Sequence, residues 1–180
     1  VARDGRWYGP IAEDDVSTFD PARYADREVM LLPKPGGELL QAGEGRLIVR
    51  LDVVFCIIHG TTGEDGVMQG LMELAGLPYV GAGVGGSAVG MDKLFMRKIL
   101  ALHQIPQVRF TTLLREQILA DTHLAAEQAE RTLTYPMFVK PANAGSSVGV
   151  SKAKNHAELQ QALLLASQYD RKILVEQGHN

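Results

Sequence analysis

Between residues 51 and 80 the chain reads strand, helix, strand, and that order constrains the fold more than any other stretch. Leu51-Asp-Val-Val-Phe-Cys-Ile-Ile58 is a nearly continuous apolar run rich in β-branched residues, the pattern of a strand covered on both faces. Gly66-Val-Met-Gln-Gly-Leu-Met-Glu-Leu-Ala-Gly76 follows with helical spacing, which puts Val67, Leu71, Leu74 and Ala75 on one face. Gly76 stands where a helix ends in left-handed backbone. Leu77-Pro-Tyr-Val80 is a second short strand. Two strands joined through a helix run parallel, so this part of the chain is α/β.

The flanking segments differ in character. Residues 1 to about 50 are loop-rich, punctuated by Pro33, Pro35, Gly36, Gly37, Gly43 and Gly45. Beyond residue 90, Asp92 caps a helix over 93–103 whose apolar face is Phe95, Ile99 and Leu102. A strand over 107–113 and a helix over 114–131 come next. Asn155-His-Ala-Glu158 then opens a helix through Tyr169, with Asn at the cap and Glu three residues on, and residues 172–176 return as a strand. This half reads as α+β, so the boundary falls near Gly90: residues 1–90 and 91–180.

Bulk properties narrow the function classes. The 180 residues carry a net charge of -3, with 46% hydrophobic and 22% charged residues, which gives no case for nucleic acid or an anionic membrane as partner. No apolar run approaches the ~18 residues of a membrane span. Cys56 is the only cysteine and lies in an apolar run, where it reads as a small core residue. Together these favour the cytoplasm. The chain opens without Met in a turn and closes directly after a strand pattern, so a longer polypeptide is expected.

Four segments carry candidate chemistry. Tyr135-Pro-Met-Phe-Val-Lys140-Pro-Ala-Asn-Ala-Gly145-Ser146-Ser147-Val148-Gly149-Val150 runs strand, lysine, small-residue loop, strand. Such a loop gathers backbone N–H groups and hydroxyls around one anion, with Lys140 as a mobile charge at its mouth. The same residue types also make an ordinary hairpin with a solvated lysine. His59-Gly-Thr-Thr-Gly-Glu64-Asp65-Gly66 lies beyond the carboxyl end of a strand, where ligands of open α/β sheets bind. There His59 can donate to a carboxylate and Glu64 can pair with an ammonium, although Glu64 and Asp65 equally suit a helix start. Lys93 in a first helical turn opposes the macrodipole, which a ligand phosphate would offset. Glu176-Gln177 ends the last strand, a place from which backbone can meet a purine edge. By contrast, Gly81-Ala-Gly83-Val-Gly-Gly86 fits G-x-G-x-x-G but lacks an acid about 20 residues on, so it reads as a turn into a short helix.

These pieces occur together in one known family. Val53-Val-Phe, His59-Gly, Gly63-Glu64-Asp65-Gly66, Gln69-Gly70, Pro78-Tyr-Val-Gly81, Met91-Asp92-Lys93, Phe138-Val-Lys140-Pro and Gly145-Ser146-Ser147-Val148-Gly149-Val150 resemble the D-alanine–D-alanine ligases of the ATP-grasp superfamily. Asp4-Gly-Arg-Trp7 matches more loosely. The resemblance implies part of a Rossmann-like parallel-sheet domain, substrate-side, over 1–90. A small α+β ATP-grasp central domain, nucleotide-binding, is implied over 91–180.

It further implies ATP, with Mg²⁺ whose ligands lie outside this chain, D-alanine as substrate, and a homodimer. Lys93 and Lys140 would contact the phosphates, while Ser146, Ser147 and Val148 would fold over them. Phe138 would line the adenine pocket with Glu176 and Gln177 as its hinge, and His59 and Glu64, helped by Ser146, would face the first D-alanine. The implied chemistry is phosphorylation of one D-alanine to an acylphosphate, then attack by the amine of a second, for peptidoglycan precursors.

Cys56-Ile57 stands where the family commonly has Pro before His-Gly, and the family's catalytic Arg and metal ligands are not in these 180 residues. The chain by itself is therefore expected not to ligate D-alanine. A D-alanine–D-lactate or D-alanine–D-serine ligase of the vancomycin-resistance type is the runner-up, although Val148 resembles the ordinary ligases. A binding-only relative and, more remotely, a dehydrogenase complete the alternatives.

Overall fold

The computed structural model describes residues 1–2, 4–11, 19–145 and 147–178. Its contacts divide the chain into two units: residues 1–58 with 67–83, and residues 59–66 with 84–180.

In the first unit, β1 (Trp7–Tyr8), β2 (Glu28–Leu31), β3 (Glu38–Gln41) and β4 (Leu47–Arg50) pair antiparallel in chain order. The loop-rich reading of residues 1–50 is thus corrected: strands of two to four residues are too short for alternation to emerge between the Pro and Gly turns. The expected strand–helix–strand follows. β5 (Val54–Phe55) and β6 (Tyr79–Val80) pair parallel, Val54 against Tyr79, across α1 (Val67–Leu74). Gly76 at φ +62° closes α1 with a Schellman pair, Leu77 N–H to Met72 O at 2.9 Å and Gly76 N–H to Glu73 O at 3.1 Å.

Two details differ from expectation. Val54, Cys56 and Ile58 pack inward, but Val53, Phe55 and Ile57 are exposed, so the run over 51–58 is covered on one face only. In α1 the buried residues are Met68 and Met72, followed by Ala75; Val67 and Leu74 are exposed. Met68 and Met72 pack there with Leu31 and Leu77.

Gly37 ties this unit together. At φ +61° its missing Cβ would lie 2.6 Å from the Leu51 carbonyl oxygen and 2.7 Å from a Leu77 methyl. Both the backbone angle and the contact exclude a side chain. Gly37→Ala is expected to lower stability by about 1–3 kcal/mol, measured by urea unfolding; a loss below experimental error would show that the β2–β3 turn relaxes freely.

The second unit contains α2 (Val84–Met91), α3 (Lys93–Leu102), β7 (Phe110–Leu114), α4 (Arg115–Ala120), α5 (Thr122–Glu130), β8 (Met137–Pro141), β9 (Ser151–Ala153), α6 (His156–Ser167) and β10 (Lys172–Gln177). The sheet order is β7-β10-β8-β9, all antiparallel. The helix expected over 114–131 is two helices, because Asp121 leaves helical backbone and caps α5 by accepting from Leu124 N at 2.9 Å. Asn155 caps α6 as expected, accepting from Glu158 N, while Glu158 accepts from Lys154 N.

Alternation gives the sheet two faces. Met137, Val139, Ile173 and Val175 are fully buried with Leu159, Leu163 and Ala126 in an apolar core. Phe138 and Lys140 point to the opposite face, cross-strand from Glu176 and Leu174. Side chains of α3 reach β10 on this polar face. Phe95, Ile99 and Leu102, expected as its buried stripe, are exposed instead, and Leu94 is its buried apolar residue.

Candidate nucleotide-phosphate site

The site begins with the cap of α3. Asp92 is buried, accepts from Leu94 N at 3.0 Å and Phe95 N at 3.1 Å, and pairs with the Lys172 ammonium. Lys172 in turn lies 4.5 Å from the centroid of the Phe95 ring. This fixes Lys93 at the first turn. Its N–H donates to Ala142 O at 3.0 Å and its ammonium to Ala144 O at 2.6 Å, so the helix start is fastened to the loop that leaves β8.

That loop is clasped from below. Asp170 Oδ2 accepts from Asn143 N at 2.7 Å and from Asn143 Nδ2 at 2.9 Å, and Oδ1 accepts from Lys172 N at 3.1 Å. Above the clasp, Val148 N–H bonds Gly145 O and Val150 N–H bonds Ser147 O, with Ser147 at φ +60° and Gly149 at φ +71°. A Cβ on Gly149 would meet Tyr169 at 2.6 Å and Pro141 at 2.8 Å. The Val148 and Val150 N–H groups are thus spent inside the loop, which is folded tightly and stands beside the Lys93 contacts. Ser147 and Val148 lie in it; Ser146 lies outside the described residues.

Lys140 stands at the end of β8 on the polar face. Its ammonium holds one oxygen of the Glu176 carboxylate, and the Arg97 guanidinium of α3 holds the other. Phe138 lies between ammonium groups, Lys140 at 5.9 Å and Lys152 at 5.6 Å from its centroid. At the strand end, Gln177 N–H donates to Arg109 O at 2.9 Å and Gly178 N–H to Pro136 O at 2.7 Å. An adenine edge would therefore have to be read by other groups there.

The electrostatics favour an anion. Burial, and next the nearby Lys140 charge, hold the Lys93 ammonium below its ordinary pKa, with Asp170, Asp92 and Glu176 opposing. A bound phosphate would offset both influences by its opposite charge. Burial pushes Glu176 upward, but hydrogen bonds and charge from Lys140 and then Arg97 outweigh it and leave the carboxyl below its usual range. Asp170 is likewise lowered despite burial, by the N–H groups of Lys172 and Asn143.

A depressed carboxyl adds stability above its unfolded pKa, about 4, and loses it as pH falls through the lower folded value. Stability is therefore expected to hold from neutrality down to about pH 4 and to decline below it. The decline should be shallower in Glu176→Gln, read by urea titrations across that range. Equal slopes in the two proteins would remove Glu176 from the account.

His59 and Glu64 belong to the same unit. Glu64 closes its own turn: Oε2 accepts from Gly60 N at 2.6 Å, and His59 Nδ1 lies 3.8 Å from Oε1. His59 is exposed. A Cβ on Gly145 would lie 3.6 Å from Gly60 Cα, so the His-Gly turn and the small-residue loop touch. Lys93, Lys140, Phe138, Glu176, Ser147 and Val148 thus gather around one loop and one sheet face, with His59 and Glu64 at its edge. Arg97, Lys152 and Lys172 join them without having been singled out from sequence. The spacing of Lys93 and Arg97, four apart on one helix, was the available signal for Arg97.

Among the described residues no group of three or more His, Cys, Asp or Glu can hold a metal ion. No helix among them is long and apolar enough to cross a membrane.

A lysine-ended strand, a left-handed small-residue loop and a capped helix bearing a second lysine thus meet in one place, the candidate for an anion site. Residues 1–82 match the family model "D-ala D-ala ligase N-terminus" and residues 99–180 match "D-ala D-ala ligase C-terminus"; the chain belongs to the D-alanine–D-alanine ligase family. It is 42% identical to the D-alanine–D-alanine ligase of Acetivibrio thermocellus, over 100% of this chain and 52% of that protein. It is 41% identical to the enzyme of that name from Enterococcus hirae, over 99% and 50%.

Among solved structures it resembles the VanG D-Ala:D-Ser ligase of Enterococcus faecalis (TM-score 0.85, 33% identity, 99% of this chain and 51% of that one). It also resembles the D-alanine–D-alanine ligase of Coxiella burnetii (TM-score 0.79, 32% identity, 98% and 52%). The chain spans about half the length of the curated relatives it matches. The expected α/β class, a parallel strand–helix–strand followed by an α+β sheet, stands.

Proposed function

We propose that this chain binds ATP at Lys93, Lys140 and the 145–149 loop, as the nucleotide-binding part of a ligase that joins D-alanine to a second D-alanine through an acylphosphate. The observation that carries it is the reach of Lys93 to the loop that follows Lys140, where it pairs with carbonyl oxygens rather than with a carboxylate. In this reading residues 1–90 form the substrate-side domain and 91–180 the nucleotide domain. Ser146, Ser147 and Val148 cover the phosphates, Phe138 and the Glu176–Gln177 strand end receive the adenine, and His59 and Glu64 face the first D-alanine. The residues work by position and charge: they hold two anions in line and neutralise the charge that builds as phosphate transfers. The same reading carries a cytoplasmic, homodimeric enzyme of peptidoglycan precursor synthesis.

A D-alanine–D-serine ligase is the second reading, favoured by the fit to the VanG structure. The test is ATP-dependent ligation by the native gene product offered D-alanine, D-serine and D-lactate together, with products weighed by mass spectrometry. D-alanyl-D-alanine should dominate; a dominant D-alanyl-D-serine product selects the second reading, and absent ADP release defeats both. In the same assay His59→Gln should raise KM for D-alanine about tenfold, the loss of one hydrogen bond to a charged group, with ATP affinity little changed. An equal loss for both ligands would mean structural damage instead.

A further inference from the structure

The Glu176 carboxylate is buried on the polar sheet face with two cations, Arg97 on one oxygen and Lys140 on the other. The other charged groups on this face are Lys93 and Asp92 at the start of α3, Lys172 on β10 and Lys152 on β9; β7 offers Phe110, which is uncharged. Lys140 therefore has two claims on it. It is Glu176's partner, and in the nucleotide reading, on which this inference rests, it is a phosphate ligand. Drawing it away would leave a buried carboxylate short of a counterion, a costly state.

Arg97 is built to answer that. Gln107 holds it at both ends, Oε1 accepting from Arg97 Nη1 at 3.3 Å and Nε2 donating to the Arg97 carbonyl at 3.0 Å. It binds Glu176 through Nη2 alone, while its Nε is buried with no hydrogen-bond partner. Nε and Nη2 are the adjacent prongs of a fork that fits both oxygens of one carboxylate.

We propose that Arg97 is a positioning residue for the phosphate lysine: when Lys140 turns to an anion, Glu176 closes onto the spare Nε of Arg97 as a two-pronged pair. The idle donor in the nucleotide-free protein is the place kept for the oxygen that Lys140 gives up. Without Arg97, Lys140 is latched to Glu176.

The test uses the native gene product, its Arg97→Met, Arg97→Lys and Glu176→Gln variants and the double variant Arg97→Met/Glu176→Gln. One readout is MgATP affinity by calorimetry. The other, in the absence of nucleotide, is the rate of Lys140 acetylation by acetic anhydride, followed by mass spectrometry. Arg97→Met should bind MgATP about tenfold or more weakly and acetylate Lys140 more slowly. Arg97→Lys, which has no fork, should restore only part of the affinity and decides the matter if Arg97→Met does not fold. The double variant should bind as Glu176→Gln does.

Wild-type affinity in Arg97→Met, a double variant no better than Arg97→Met, or an unchanged Lys140 rate overturns the role of Arg97 alone. A wild-type gene product that binds no MgATP overturns the nucleotide reading and this role with it.

Discussion

Asp92→Ala is expected to lower the stability of the second unit by about 3 kcal/mol, the sum of a lost helix cap and a buried ammonium left without its partner. Asp92 serves both ends at once: it accepts two N–H groups at the start of α3 and pairs with Lys172, itself mostly buried. Asp92→Asn keeps the cap and loses the ion pair, so it should fall between the wild type and the alanine variant. Denaturant unfolding measures both. A loss under about 1 kcal/mol for Asp92→Ala, no more than a cap alone is worth, would mean that Lys172 finds water or another partner. The same variant loosens the point where Lys93 N–H meets Ala142 O, so stability and nucleotide affinity should fall together.

Lys140→Ala separates them. MgATP affinity should drop about 10–100-fold, the range of one charge-assisted hydrogen bond, while stability changes little if, as proposed above, Arg97 takes both oxygens of Glu176. Calorimetric titration with a circular dichroism control makes the comparison. An unaltered dissociation constant would remove Lys140 from the phosphate site.

What could be read from sequence was local. The caps at Asp92 and Asn155 depend on a side chain reaching N–H groups two or three residues away, so residue type and spacing were enough. The strand–helix–strand at 54–80 was legible from period and from Gly76. The Glu176 pairings join residues 36 and 79 apart in sequence, and no local pattern encodes them. The expected apolar stripe of α3 failed for a related reason: Asp92 and Arg97 make its contacts to β10, and the sequence shows charge without showing where its partner lies. Ser147 at positive φ was hidden as well, because a serine gives no sign of left-handed backbone.

The alternation of β8 carries a consequence for how this chain can vary. Met137, Val139 and Pro141 supply cohesion on one side, and Phe138 and Lys140 carry the proposed nucleotide contacts on the other. Substitutions on the two sides are nearly independent, so ligand preference can drift without eroding the core. A single-residue insertion or deletion within the strand would exchange the roles, driving an ammonium into the apolar core and a methionine onto the polar face. This segment is therefore permissive to replacement and intolerant of any change in length.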